Sequence, residues 1–105
     1  VPGPLVVAAH QTAGRGRRGR TWEAAPGQNL LFSLVLAPRV PADRAARCVM
    51  VWAAALAEAL DVQVKWPNDL VAREAPGGSW KKLAGILAEL EVTRHEPPRV
   101  RHVVL

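Results

Sequence analysis

Between residues 14 and 20 the chain reads Gly-Arg-Gly-Arg-Arg-Gly-Arg, so that Arg15, Arg17, Arg18 and Arg20 fall within six residues of one another, interleaved with Gly14, Gly16 and Gly19. Each guanidinium is a planar fork whose donors match the oxygens of a phosphate or a carboxylate. Glycine lets the backbone pass close to a ligand and adopt a positive φ. Such a loop is built to hold anions. Like charges packed this tightly repel, so the free loop is expected to be mobile and to order when an anionic ligand arrives.

Two familiar nucleotide patterns lie inside this stretch, and both fail on their surroundings. Gly14, Gly16 and Gly19 satisfy G-x-G-x-x-G, but that turn must open a helix, and here Pro26 and Gly27 follow before another apolar run. Gly14, Gly19, Arg20 and Thr21 approach the P-loop, yet Arg20 stands where the lysine belongs and the helix whose N-terminus would hold phosphate is missing. What remains is an anion clamp with several possible owners.

The rest of the chain narrows the partner only a little. The formal charge of +5 and isoelectric point near 10.7 are concentrated in this loop, and a localised cationic loop fits nucleic acid, a nucleotide or a carboxylate substrate. Half of the 105 residues are hydrophobic and 22% are charged, the balance of an ordinary globular domain rather than a disordered one. The longest apolar stretch, residues 49–60, is interrupted by Glu58 and falls short of the ~20 residues a bilayer requires. A single cysteine, Cys48, cannot cross-link the fold, and with no secretory signal at the start a cytoplasmic location is expected.

The elements that must position the loop follow from periodicity. Residues 5–9 form a short apolar run read as a buried strand, and residues 29–36 a second strand, so the basic loop joins two strands. Over residues 43–60, Ala46, Val49, Ala53, Leu56 and Leu60 recur at three- and four-residue spacing with no Gly or Pro inside, which predicts a helix. Val62, Val64 and Trp66 alternate with polar residues and predict a strand that Pro67 ends, with Asn68 and Asp69 at a turn. A short strand over 70–72, a Pro-Gly-Gly hairpin loop over 74–79, a long strand over 82–93 and a last strand over 100–105 complete the order. The expected fold is α+β, a largely antiparallel, mixed sheet covered on one face by the helix. Trp52 belongs to the helix core, Trp80 closes the hairpin, Cys48 acts as a small hydrophobe, and His10, His95 and His102 show no metal-ligand spacing.

Three blocks carry a more specific message. Residues 10–20, His-Gln-Thr-Ala-Gly-Arg-Gly-Arg-Arg-Gly-Arg, followed by Trp22; residues 65–70, Lys-Trp-Pro-Asn-Asp-Leu; and residues 82–89, Lys-Leu-Ala-Gly-Ile-Leu-Ala-Glu, resemble biotin protein ligases in wording and in order. The resemblance implies a class II aminoacyl-tRNA synthetase-like catalytic domain and a two-step reaction. Biotin's carboxylate attacks the α-phosphate of ATP with Mg²⁺ present, pyrophosphate leaves, and a lysine of a biotin carboxyl carrier protein then displaces AMP. Both partners of the first step are anions, so their repulsion must be cancelled, which arginines and a metal ion can do.

Carried over by position, the resemblance implies that Gln11 hydrogen-bonds biotin and that Gly14, Arg15, Gly16 and Arg17 wrap the carboxylate and the α-phosphate. Arg17 is the first choice for charge stabilisation. Arg18 and Arg20 join Arg15 and Arg17 on the ATP phosphates, and Trp22 stacks on adenine, with a core tryptophan at a strand end as the alternative. Lys65 and Asn68 are further ATP ligands, with a solvated strand face as the alternative for Lys65, whereas Asn68 leans toward a structural role in the turn. Lys82, three residues before Gly85, reaches carboxylate and phosphate oxygens while the glycine backbone approaches biotin. Asp69 orients Lys82 or the incoming lysine, with a turn residue as the alternative. Lys81 is expected on the opposite face of its strand as a solvated charge.

Other readings stay open at this point. Arginine–glycine runs beside a tryptophan also bind single-stranded nucleic acid, with affinity that falls steeply with salt, although nucleic acid is the less expected partner for this segment. A ligase of the same fold could load lipoate or another acyl acid. The family pattern further includes a Ser-Thr-Asn segment upstream, a Gly-x-Gly-x-Asn turn downstream and a small C-terminal β-domain, none of which occurs in these 105 residues. The chain is therefore expected to be one part of a catalytic domain, inactive alone, whose parent is a possible homodimer.

Overall fold

The computed structural model describes residues 2–94 and 100–104. Their elements run β1 (Pro2–Ala8), β2 (Leu31–Leu36), α1 (Ala46–Leu60), β3 (Gln63–Lys65), β4 (Asp69–Arg73), β5 (Trp80–Gly85), β6 (Glu89–Val92) and β7 (Val100–Val104), with short 3-10 turns at Arg17–Gly19 and Ala42–Arg44. The expectation of an α+β chain with antiparallel pairing and one long helix holds. The single sheet does not: the strands form two sheets, one in each of two compact units.

The first unit holds a four-stranded sheet in the order β1-β2-β7-β6, every pair antiparallel. Leu5 lies opposite Leu34 and Ala8 opposite Leu31, so the loop between β1 and β2 leaves and returns at one end of an aligned ladder. Leu31 is buried at that end. The reading of residues 5–9 as a buried strand is corrected here: among the described residues β1 is an edge strand bonded on one side only, and Leu5, Val6 and Val7 are 58–61% exposed. Apolarity alone does not say which faces are covered.

The second unit, Asp43–Ile86, contains α1 and a three-stranded sheet ordered β3-β4-β5. Alanine-rich composition favours the helix intrinsically. Its expected start at Asp43 moves to Ala46, because Ala42–Arg44 wind as a 3-10 turn with Ala45 buried behind it. The helix ends where Asp61 turns left-handed, at φ 53°, and its N–H donates to the carbonyls of Ala57 and Glu58. Of the expected stripe, Ala53 is buried, Val49 and Leu56 are half-buried, and Ala46 and Leu60 are exposed, while Ala57 joins the buried set. Trp52 and Cys48 are half-buried on the helix.

The long strand expected over 82–93 is two strands in two different sheets. β5 pairs with β4, whereas β6 pairs with β7, and between them the N–H of Ile86 donates to the carbonyl of Asn68 at 2.9 Å. The apolar run is continuous through this switch, so nothing local marks it. Asp69 is likewise not in the turn, which occupies residues 66–68 and contains a cis Trp66–Pro67 peptide; Asp69 is the first residue of β4. Trp80 opens β5 opposite Arg73, whose guanidinium sits 4.2 Å above the indole centroid. The last strand was expected to reach Leu105, which lies outside the described residues, as does His95. Among the described residues no helix is long and apolar enough to cross a membrane.

Candidate functional site

In the first unit the basic loop is closed on itself. Arg15 and Thr21 form an antiparallel bridge, flanked by hydrogen bonds from the Trp22 N–H to the Gly14 carbonyl at 2.8 Å and from the Gly16 N–H to the Arg20 carbonyl at 2.7 Å. At the tip Arg18 and Gly19 both adopt positive φ, 58° and 72°, and reverse the chain. The loop is thus a small hairpin closed by three backbone hydrogen bonds, the third running from the Arg20 N–H to the Arg17 carbonyl at 3.2 Å.

Glycine is required at one position of this hairpin and merely tolerated at another. A Cβ on Gly14 would collide with the Trp22 carbonyl and stand 3.0 Å from Gln11 Oε1. On Gly16 it would meet Arg20 Cβ at 3.4 Å, an ordinary contact. Gly14 therefore holds the two limbs together, while the free space at Gly16 is not demanded by the protein's own packing.

The hairpin divides the expected ligand residues between two clefts. One, of about 440 Å³, is lined by Arg15, Arg17, Arg18 and Arg20 together with Leu87 and Glu89. The other, of about 530 Å³, is lined by Gln11, Gly14 and half-buried Trp22 among the residues from His10 to Ala25. Thr21 borders both. Four arginines around one cleft have the chemistry to attract an anion; an amide, a bare glycine and an indole around the next suit a planar, mixed polar and apolar group. Nothing in the sequence spacing singles out Glu89, 74 residues from Arg15, yet its carboxylate accepts a hydrogen bond from the Arg15 guanidinium inside the arginine cleft.

In the second unit the expected residues meet on one sheet face. Lys65 lies opposite Asp69, and Asp69 opposite Gly85, so these three share a face across β3, β4 and β5. Lys82 is three residues from Gly85, an interval that regular alternation would place on the other side. The ladder slips by one residue between Leu70 and Val71, so that Leu83 is passed over and Lys82 falls opposite Val71, on the face of Asp69. The Lys82 Nζ to Asp69 Oδ1 distance is 2.9 Å, with the carboxylate mostly covered and the ammonium about half exposed. Leu70, on the opposite face, is the largest fully buried side chain among the described residues, which assigns that face to α1 lying against β3 and β4.

Two other residues find local partners. Asn68 donates from Nδ2 to the Ile86 carbonyl at 3.0 Å while its own carbonyl accepts from the Ile86 N–H, a two-point clamp between the turn and the end of β5. Lys81 turns away from Lys82, as expected, and pairs with exposed Glu74 at 2.8 Å.

The model of the biotin/lipoate A/B protein ligase family matches residues 2–99. The chain belongs to the biotin/lipoate A/B protein ligase family. It is 35% identical to the bifunctional ligase/repressor BirA of Bacillus subtilis over 109 aligned positions, 98% of this chain and 31% of that protein. Similarity extends to the bifunctional ligase/repressor BirA of Escherichia coli, at 39% over 84% of the chain and 27% of the relative. Against the biotin–[acetyl-CoA-carboxylase] ligase of Paracoccus denitrificans, identity is 44% over 80% of the chain and 35% of the relative. The chain thus spans about a third of the length of the curated relatives it matches. All three ligase blocks of this family member fall inside the matched region.

Proposed function

We propose that the protein carrying this chain is an ATP-dependent, AMP-forming biotin protein ligase that attaches biotin to a lysine of a carrier protein. What supports the reading most is the face of the second unit, where Lys65, Asp69, Lys82 and Gly85, drawn from two separate sequence blocks, stand together. Family membership and the names of the relatives agree with it. The blocks also favour biotin over lipoate as the acid loaded.

In the proposed first step a carboxylate oxygen of biotin attacks the α-phosphorus of ATP, the bond to the bridging oxygen breaks and pyrophosphate leaves. Arg15 and Arg17 hold the carboxylate and α-phosphate against their mutual repulsion, with Arg17 carrying the charge that develops at phosphorus. Arg18, Arg20 and Lys65 take the remaining phosphate oxygens. Gln11 binds biotin, Gly14 and Gly16 let it approach, and Trp22 stacks on adenine. Lys82, held by Asp69, presents its ammonium to carboxylate and phosphate oxygens, and Gly85 leaves backbone bare beside biotin. Asn68, proposed from the sequence as an ATP ligand, acts more simply by fixing the turn from which Asp69 emerges.

In the second step the carrier lysine, as the free amine, attacks the acyl carbon and AMP leaves, with Asp69 placed to accept the amine's proton. The described residues contain no cluster of three or more His, Cys, Asp or Glu side chains suited to a metal. Mg²⁺ would be brought on the nucleotide's phosphates and would neutralise charge there. A synthetase-like catalytic fold, a cytoplasmic location and a homodimeric parent belong to the same proposal.

The test is to incubate the full-length protein with ATP, Mg²⁺ and biotin and to look for biotinyl-5′-AMP by mass spectrometry. Arg17→Ala and Lys82→Ala should each lower adenylate formation by roughly 10- to 100-fold, the scale of one charge-assisted hydrogen bond. A folded full-length protein that makes no adenylate refutes the reading. Tight, biotin-independent and strongly salt-dependent binding of single-stranded nucleic acid would replace it with the alternative.

A further inference from the structure

The cleft lined by four arginines also contains a carboxylate. Glu89, the first residue of β6, is joined to Arg15 there, and the two side chains are 54% and 70% exposed. A guanidinium bound to a carboxylate is engaged through the same donor fork it would offer to a substrate's carboxylate or phosphate. A pair this exposed is weak enough to exchange its acid for another. We propose that Glu89 is the internal counter-ion of the loop: it orients Arg15 across the cleft, and an anionic ligand binds by displacing it from the guanidinium.

Two consequences follow for the reaction, on the reading of the cleft as a substrate-anion site. Exchanging one carboxylate for another at Arg15 is nearly neutral, so net affinity must come from the arginines beyond it. Glu89 thus tempers the field of the loop, sets its affinity for anions, and is a positioning residue that acts through Arg15 rather than by touching the reacting atoms.

Pyrophosphate is a suitable probe, because its binding to the arginines does not depend on biotin chemistry. In the full-length protein at fixed ionic strength, calorimetry should give Glu89→Gln a dissociation constant for pyrophosphate roughly two- to fivefold lower than the unsubstituted protein, the range expected for an exposed ion pair. Unchanged or weaker binding overturns the proposal. In an Arg15→Ala background the same substitution should gain nothing, because no displacement is left to relieve. An equal gain in both backgrounds reduces Glu89 to a distant repelling charge and also overturns it. Adenylate formation by the unsubstituted protein is followed in parallel. Adenylate without tightening removes the counter-ion and leaves the ligase reading, and tightening without adenylate does the reverse.

Discussion

Replacing Gly14 and Gly16 separately by alanine asks the loop to say which glycine serves the fold. An added methyl at Gly14 falls on the Trp22 carbonyl and 3.0 Å from Gln11 Oε1, so one limb of the hairpin must move. Moving it breaks the 2.8 Å Trp22-to-Gly14 backbone bond, worth about 1 kcal/mol, and adds an overpacking cost of ~1–3 kcal/mol. Together these give a loss of roughly 2–4 kcal/mol, a large share of the ~5–15 kcal/mol that holds a typical domain folded. At Gly16, with φ −105° and its nearest neighbour 3.4 Å away, alanine has both the backbone conformation and the space it needs. Its expected effect is within about 0.5 kcal/mol of zero. Urea unfolding read by tryptophan fluorescence should separate the two variants by ~2 kcal/mol or more. Equal midpoints, or a larger loss at Gly16, would refute the packing argument. The stable Gly16→Ala protein then becomes informative in its own right: if it folds normally but binds biotin or ATP poorly, the space at Gly16 belongs to a ligand.

Three further outcomes can be measured. Asp61→Gly should stabilise the protein by about 1 kcal/mol, seen as a higher urea midpoint, because glycine accepts the left-handed cap at φ 53° and removes an acid from a helix C-terminus. Asn68→Asp should destabilise more than Asn68→Ala, which itself costs ~1 kcal/mol, because a carboxylate facing the Ile86 carbonyl has no proton to donate; the reverse order in thermal melts would show that the clamp is not what holds the turn. Biotin with ATP should slow tryptic cleavage after Arg15, Arg17, Arg18 and Arg20, which are all exposed, and cleavage at the same rate with and without ligands counts against the loop as their binding site.

Residue types announced the chemistry of this chain more clearly than periodicity announced its architecture. The arginine loop reads as an anion clamp from the sequence alone because charge and glycine content are local properties. The helix was visible as a 3.6-residue stripe, and only its first turn was misplaced, since Asp43 is as acceptable in a 3-10 turn as in an α-helix. The division of residues 82–93 between two sheets was hidden because each half is a respectable strand and the partner of each lies elsewhere in the chain. Long-range pairing also decided that Glu89 would stand beside Arg15 and that Lys65, Asp69 and Gly85 would form one row. The exposure of β1 was hidden for a related reason, because an apolar run records what a strand can bury and says nothing of what arrives to cover it.

The slip at Leu83 decides between two chemically identical neighbours. In an unbroken strand the lysine on Gly85's side is the one an even number of residues away, Lys81, and Lys82 would have gone to Glu74's side instead. One residue left out of the count reverses the assignment, sending Lys82 to Asp69 and Lys81 to Glu74. The hairpin thus works as a selector switch, and what it selects is encoded in the parity of a spacing rather than in the identity of any side chain.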